Sequence, residues 1–310
     1  MPSSIGLDIG GTNISSVICD DHGNIIYSCT RRSDCYGDQY LKNIDEIIEN
    51  LIRESETDIC GIGIGVPGTV DYNTGKVVVC PALNWKDLFL KDYIEKKFGI
   101  SAYVDNDVNV WTLSEKHLGA AKGYDDFAMI TIGTGIGCGI YLNGQIYRGH
   151  SFEAGEIGYL PLEIEAYKET FSDSQFGFFE SRASASAASR IYQNITGRTV
   201  DCKEIFLLAK QGDNIARKVV DDVYKYLGLG ISSIFCILNP QTVVIGGGMA
   251  AEGQEFLKEL TKKVKQLIPL KVNLSLTQTG VYGGAVGSAL GVFFSHDSKE
   301  TVQTNLAFSI

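Results

Sequence analysis

The sequence predicts an α/β protein of two domains, and three observations carry that expectation. Apolar runs of strand length alternate with longer segments of helical period, the pattern of an α/β fold. The order apolar strand, Gly and Thr turn, apolar strand occurs twice, at Ile5 to Ile18 and again at Phe127 to Leu142. A length of 310 residues exceeds what one minimal core needs and suits two modest domains. The small residues Gly119 to Gly123 mark the boundary, giving an N-terminal domain over 1–118 and a C-terminal domain over 119–280. A polar tail, 295–310, is expected to be loose.

Taken in order, Ser3 to Leu7 reads as a strand leading into Asp8-Ile9-Gly10-Gly11-Thr12. Ile14 to Asp20 and Asn24 to Ser28 read as two more, joined by the turn Asp21-His22-Gly23. Leu41, Ile44, Ile47, Ile48, Leu51 and Ile52 recur at helical spacing. Gly61 to Gly65 alternates Gly with Ile, a buried strand ending in Val66-Pro67-Gly68, where backbone can approach a ligand closely. Asn84-Trp85 follows in a loop. An amide beside an indole suits a sugar contact, and Trp85 suits equally a hydrophobic plug for the helix Asp87 to Lys97. The strand Ala102 to Val104 then runs through Asp105-Asn106-Asp107-Val108-Asn109 into a helix over Trp111 to Leu118.

In the second half, Asn143-Gly144 is a hairpin turn. A Gly-rich loop from Gly149 to Leu160 holds Glu153 and Glu156, and Glu163 to Gly177 shows no clear period. Helices are expected over Glu180 to Ile195 and Ile215 to Phe235, the latter with Val219, Val223, Leu227, Ile231 and Ile234 on one face. Pro240 to Ile245 is a short buried strand entering Gly246-Gly247-Gly248, a turn on which a planar ring can lie. Phe256 to Ile268 and Val281 to Phe293 complete the helices.

Hydrophobic residues at 44%, charged residues at 21% and 35 glycines describe a soluble globular chain. A net charge of −10 argues against a nucleic-acid partner, since phosphate backbones are met by clustered Lys and Arg. The 8 cysteines include no Cys-x-x-Cys pair and read as reduced core thiols. With no basic-then-apolar leader, and no run near the roughly 18 apolar residues that cross a bilayer, a cytoplasmic protein with no membrane partner is expected.

The chemistry gathers where strands end. In open α/β sheets ligands bind beyond the carboxyl ends of the strands, which is where Asn106 and Asp107 fall. Asp107 can take a proton from a hydroxyl, while Asn106 offers a donor and an acceptor to its neighbours, a combination suited to a sugar. Asx residues also cap helices, so these residues alone leave capping and catalysis both open. Gly10-Gly11-Thr12 can bring backbone N–H groups and a hydroxyl against an anion. Asp8 beside it would repel phosphate unless a cation intervenes, which points to Mg²⁺ held through water. Gly133-Thr134-Gly135 repeats the motif, and two such turns facing each other would grip one triphosphate from both sides.

With Asp8-Ile-Gly-Gly-Thr12, Gly63 to Gly68, Asn106-Asp107, Gly133-Thr-Gly-Ile-Gly137, Ala154-Gly-Glu-Ile-Gly158, Gly246-Gly-Gly248 and Gly283-Gly-Ala-Val-Gly287 in this order, the chain resembles the ROK family of sugar kinases and repressors. That family lies within the actin and hexokinase superfamily, and the resemblance covers nearly all of residues 3–294. It implies two duplicated actin-like ATPase (ribonuclease H-like) domains around a central cleft, a last helix (281–294) packing back on the first domain, and a homodimer. It also implies an ATP-dependent hexose kinase that transfers the γ-phosphate of Mg-ATP to a sugar hydroxyl, foremost the 6-OH of glucose. Asp107 matches the general base, and Asn106, Glu156 and Glu180 match positions that hold sugar hydroxyls, with Gly68 and Asn84 on the sugar side. Gly10, Gly11, Thr12, Gly133, Thr134 and Gly135 match the phosphate loops. Gly247 and Gly248 fall on the nucleotide side, and Asp8 falls at the Mg²⁺.

The sequence departs from the family at its zinc site. Members usually carry Gly-His and then a Cys-x-Cys-Gly-x-x-Gly-Cys-x-Glu run, whereas this chain has Tyr159, Phe171, Asp173 and Phe178 at the ligand positions. No zinc is therefore expected. Tyr159 stands where the family's His touches substrate, and Phe171, Phe176, Phe178 and Phe179 are expected to hold the Glu180 loop as an aromatic cluster. A repressor would carry a helix-turn-helix ahead of the motif that here begins at residue 8, which leaves no room for one. The alternative reading is a sugar-binding or sensing protein without catalysis.

Overall fold

The computed structural model describes residues 2–10, 13–32, 37–168 and 177–306, with Asp38 and residues 295–306 described by their backbone alone. Contacts divide the chain into two units, Met1–Lys122 with Arg148–Glu153 and Thr279–Ile310, and Gly123–Tyr147 with Ala154–Gln278.

The first unit begins with β1 (Ser3–Ile9), β2 (Asn13–Asp20), β3 (Ile25–Arg32), α1 (Asp38–Glu54) and β4 (Ile59–Val66). A small sheet of β5 (Thr69–Asp71), β6 (Lys76–Cys80) and β7 (Trp85–Leu88) follows, and then α2 (Leu90–Phe98), β8 (Ala102–Asn106) and α3 (Asp107–His117). The main sheet has the order β3-β2-β1-β4-β8, antiparallel from β3 to β1 and parallel from β1 to β8. β1 and β4 are largely buried, and β4 accordingly reads as an unbroken apolar run. On one face, α1 lays Tyr40, Ile44, Ile47, Ile48 and Leu51 over Ile5, Leu7, Ile9, Ile62 and Ile64. Trp85, expected either as a sugar contact or as a plug for the helix after it, packs against α1. It is buried, meets Tyr40 edge-on at 5.6 Å, and donates to the Gly37 carbonyl at 3.3 Å.

The second unit holds β9 (Phe127–Ile132), β10 (Ile136–Leu142), β11 (Gln145–Ile146), α4 (Glu180–Ala183), α5 (Ala185–Thr196), α6 (Cys202–Gln211), α7 (Asn214–Leu238), β12 (Thr242–Gly246), α8 (Gly253–Leu267) and β13 (Leu274–Leu276). Its sheet, β11-β10-β9-β12-β13, repeats the directions of the first: two antiparallel pairings, then two parallel ones. The helix expected over Glu180 to Ile195 is broken at Ser184, whose hydroxyl accepts from the Ala187 N–H and caps α5. α7 buries Val219, Val223, Leu227, Ile231 and Ile234 in one core with the sheet.

The last helix, α9 (Gly283–Leu306), belongs to the first unit and covers the other face of its sheet. The glycines of β1 and β4 exist for this contact. A Cβ at Gly6 would fall on the Ala285 carbonyl, and one at Gly63 on that of Ser288. Around Gly61 to Gly65 the close approach expected of a ligand is thus, at Gly63, that of a helix backbone. Ser288 Oγ donates to the Leu7 carbonyl at 2.8 Å, and Ser4 Oγ to that of Ala289 at 3.0 Å, so the seam is also hydrogen-bonded. α9 continues beyond residue 295, where the loose tail was expected to begin, while 307–310 lie outside the described residues.

A buried carboxylate ties the places where the chain leaves and re-enters this unit. Glu115 accepts from the Ala120 N–H at 2.8 Å through one oxygen. Its other oxygen accepts from the Thr279 hydroxyl at 2.7 Å and the Thr279 N–H at 3.1 Å. Among the described residues no helix is long and apolar enough to cross a membrane.

Candidate active site

In the first unit the site grows from the carboxyl end of β8. Asn106 is the last strand residue and the N-cap of α3, its side-chain oxygen accepting from the N–H groups of Val108 at 2.9 Å and Asn109 at 3.2 Å. Its amide nitrogen donates to the Gly68 carbonyl at 3.2 Å, which brings the β4 turn to the same point. Asp107, half-buried, is the first residue of α3, and one of its oxygens accepts from the Val108 N–H at 2.9 Å. Because Asn106 does the capping, Asp107 is carried at the helix start without being the cap. A carboxylate in the first turn is electrostatically favoured there.

Asn84 is exposed, in the left-handed conformation (φ 55°) that ends the single turn Pro81–Leu83. Asp8, near the end of β1, has its carboxylate against α9, where a Cβ at Gly284 would fall on it. Burial pushes its carboxyl up to about 6. The Gly10 N–H is already spent on the Asn13 carbonyl at 2.9 Å, and the Gly10 carbonyl accepts from Tyr40 Oη at 2.6 Å. Gly10 therefore shapes the turn and offers no N–H to an anion in this arrangement. Gly11 and Thr12 lie outside the described residues.

In the second unit the β9–β10 turn closes through the Gly133 N–H and the Gly135 carbonyl at 2.9 Å. The start of α5 packs on it, with the Ala185 N–H donating to the Gly133 carbonyl at 2.8 Å and Ser186 Oγ donating to that of Thr134. Glu180 reaches the same turn, one carboxylate oxygen accepting from the Ile136 N–H at 2.6 Å. A Cβ on Gly135 would land on that oxygen, so the glycine makes room for Glu180. Burial raises the Glu180 carboxyl, and the Ile136 N–H opposes this. Glu156 and Tyr159 are both exposed, at the two ends of one short helical turn, Ile157–Tyr159.

Beside Thr134 lies a cavity of about 430 Å³, a size suited to a nucleoside. Ala185, Cys202, Phe206 and Met249 give it apolar surface, and Ser186, Ser189, Asp201, Lys203 and Glu252 give it polar groups. Gly248 lines it. Gly247 turns the chain before it at φ 82°, where a Cβ would press on the backbone of Ile132.

The family model described as the ROK family matches residues 4–290. The chain belongs to the ROK family. It is 31% identical over 275 residues to a glucokinase of Halalkalibacterium halodurans, covering 83% of each chain. It is 30% identical over 269 residues to a xylose repressor of Bacillus spizizenii, covering 86% of this chain and 69% of the repressor. A ROK family glucokinase from Streptomyces griseus, solved in complex with glucose and AMPPNP, superposes with a TM-score of 0.81 at 26% identity, covering 93% of this chain and 98% of that one. The fold is therefore the two-domain actin-like fold of ROK sugar kinases.

Within this ROK fold, Asn106, Asp107 and Gly68 are gathered at one point of the first unit. Gly133, Thr134, Gly135 and Glu180 are gathered at one turn of the second. Among the described residues no group of three or more His, Cys, Asp or Glu side chains could hold a metal ion. Of the aromatic cluster expected around Glu180, Phe178 and Phe179 are buried. The Arg182 guanidinium lies over the Phe178 ring at 3.5 Å, and Phe171, Asp173 and Phe176 lie outside the described residues.

Sequence reading missed α6, although Asp201 caps it and Ile205 and Phe206 are its buried residues, and with it the cavity residues Cys202, Lys203 and Phe206. It also missed Arg148. That side chain pairs with Asp105 at 2.5 Å across 43 positions of sequence, a contact with no local signature.

Proposed function

We propose that this ROK protein is an ATP-dependent hexose kinase, with glucose or a closely related hexose as acceptor and its 6-hydroxyl as the group phosphorylated. The observation that carries the reading is the division of labour at the β8–α3 junction. Asn106 caps the helix and anchors Gly68, while Asp107 presents a carboxylate at the strand end. The likeness to glucokinases supports the choice of acceptor.

In this mechanism Asp107 accepts the proton of the sugar hydroxyl as its oxygen attacks the γ-phosphorus of ATP. The second N–H of the Asn106 amide donates to a neighbouring hydroxyl, and Glu156, Glu180 and Tyr159 meet further hydroxyls. The cavity beside Thr134 takes the nucleoside, with Gly248 and Met249 against the base, and the turn at Gly133 to Gly135 directs its polyphosphate. Mg²⁺, when bound, neutralises charge on the phosphate oxygens, and Asp8 would hold it through water. Phosphoryl transfer passes through a loose transition state, so alignment supplies most of the rate and a base about 10² to 10⁴-fold.

The test is ADP release, coupled to a spectroscopic readout, across a panel of hexoses and N-acetylhexosamines. Hexose-dependent ADP formation led by glucose is expected. Sugar binding by calorimetry without ADP formation from any member of the panel would replace the kinase with a sensor, the role to which the repressor relative points.

A further inference from the structure

We propose that Arg148 is a positioning residue for Asp107, acting through the Asp105 carboxylate, an inference that rests on the kinase reading above. Asp105 is buried at the end of β8, immediately before the junction that carries Asn106 and Asp107. One of its oxygens accepts from the Asn106 backbone N–H at 2.8 Å and from the Asn109 side-chain amide at 3.0 Å. The other accepts from Tyr103 Oη at 2.9 Å and from two guanidinium nitrogens of Arg148, at 3.1 and 2.5 Å. A carboxylate with five donors on it has one orientation. That orientation holds the backbone on one side of Asp107, through Asn106, and the first turn of α3 on the other, through Asn109.

Arg148 is itself fixed. Its guanidinium lies 3.7 Å from the centre of the Tyr72 ring, and Tyr72 meets Tyr103 edge-on at 5.9 Å. Burial works against its charge, the Asp105 carboxylate outweighs that effect, and the guanidinium stays protonated. The segment that carries it, Arg148–Glu153, belongs by its contacts to the first unit, although Tyr147 and Ala154 on either side belong to the second. A chain excursion that places one cation on a buried carboxylate beside the proposed base serves the geometry of that base. A planar guanidinium suits this role better than an ammonium, because it aims two N–H groups at one carboxylate oxygen while its face lies on the Tyr72 ring.

Three variants test this: Arg148→Lys, Arg148→Met, and the double Asp105→Asn with Arg148→Met, which leaves no unpaired buried charge and so remains folded if Arg148→Met alone does not. Each is assayed well below its own melting temperature. The double variant is expected to melt close to wild type yet show kcat lowered about 10- to 100-fold, the penalty of a misplaced reacting group. Its KM for ATP should stay within about twofold, because the nucleotide cavity contains none of these residues. Arg148→Lys should fall between.

A second arm needs no turnover. Hydrogen exchange at the backbone amides of Asn106, Val108 and Asn109 should quicken about tenfold or more in the double variant, with α1 unchanged. If wild type phosphorylates no sugar, the kinase reading fails and the exchange arm still judges the positioning. Wild-type exchange at those amides overturns the inference, as does wild-type kcat in the folded double variant of an active enzyme.

Discussion

Replacing Gly135 by Ala is the sharpest test of the β9–β10 turn. The added Cβ would fall on the Glu180 oxygen that accepts from the Ile136 N–H at 2.6 Å, so the end of this flexible side chain must shift and the bond is expected to go with it. A hydrogen bond to a charged group contributes about 1.5–3 kcal/mol. Glu180 keeps partial solvent contact, so the lower part of that range applies, about 2 kcal/mol. If the second unit melts as one body, this corresponds to a fall in Tm of about 4–8 °C. Gly133→Ala is the matched control, because nothing lies within 4 Å of its added Cβ and its expected cost is within about 0.5 kcal/mol. Differential scanning calorimetry of the two variants, with Gly135→Ala repeated in a Glu180→Ala background, reads the effect directly. Equal melting temperatures for Gly133→Ala and Gly135→Ala, or no recovery when Glu180 is also removed, would refute the argument.

Asp107→Asn should lower kcat by at least about 10²-fold, since an amide cannot accept the proton, while sugar binding by calorimetry survives. Melting should shift by less than about 1 kcal/mol, because Asn106 and not Asp107 caps α3. Asp8 predicts a pH signature in the ligand-free protein. Its carboxyl rises from 3.8 in the unfolded chain to about 6 in the fold, so between these values the native state holds more protons and stability falls as pH rises. Asp8→Asn should therefore be more stable than wild type at pH 7.5, by roughly 1 to 3 kcal/mol. The gain should vanish near pH 4, read by denaturant melts across pH, and its persistence there would remove burial as the cause. Full activity is expected in excess Mg²⁺ after a zinc-selective chelator, measured alongside elemental analysis. Stoichiometric zinc, or activity restored by zinc alone, would overturn that expectation.

The parts of the fold legible in the sequence are those set by near neighbours. Asn143-Gly144 specifies its hairpin because both residues take positive φ, 53° and 77°, as the tight turn between β10 and β11 requires. The periodic Ile residues of α1 specify its buried face. α3 starts at Asp107 and not at Trp111, because Asn106 caps it. Position 184 shows a similar effect, where one serine hydroxyl converts a continuous helical pattern into α4 and α5. What was not legible depends on partners far along the chain. The glycines of β4 suggest close approach of a ligand, because α9, which fills that space at Gly63, lies more than 200 residues away. Arg148 carries no local signal, and only the fold brings it onto Asp105. Tyr159 and the loop that follows carry the least pattern of all.

The carboxylate of Glu115 has a consequence for how such a protein can be taken apart. It holds Ala120, two residues before the crossing at Lys122, and Thr279, the residue on the return, so the outgoing and incoming strands share one anchor. An intervening segment whose two ends leave from one point behaves as a cassette. Most of it can be removed and the gap bridged by a short Gly and Ser linker without stretching the remaining unit. The excursion at Arg148–Glu153 would leave with that cassette. A shortened chain would then fold around an Asp105 stripped of its cation, and the site beside it would have to be rebuilt by a base placed elsewhere in the first unit.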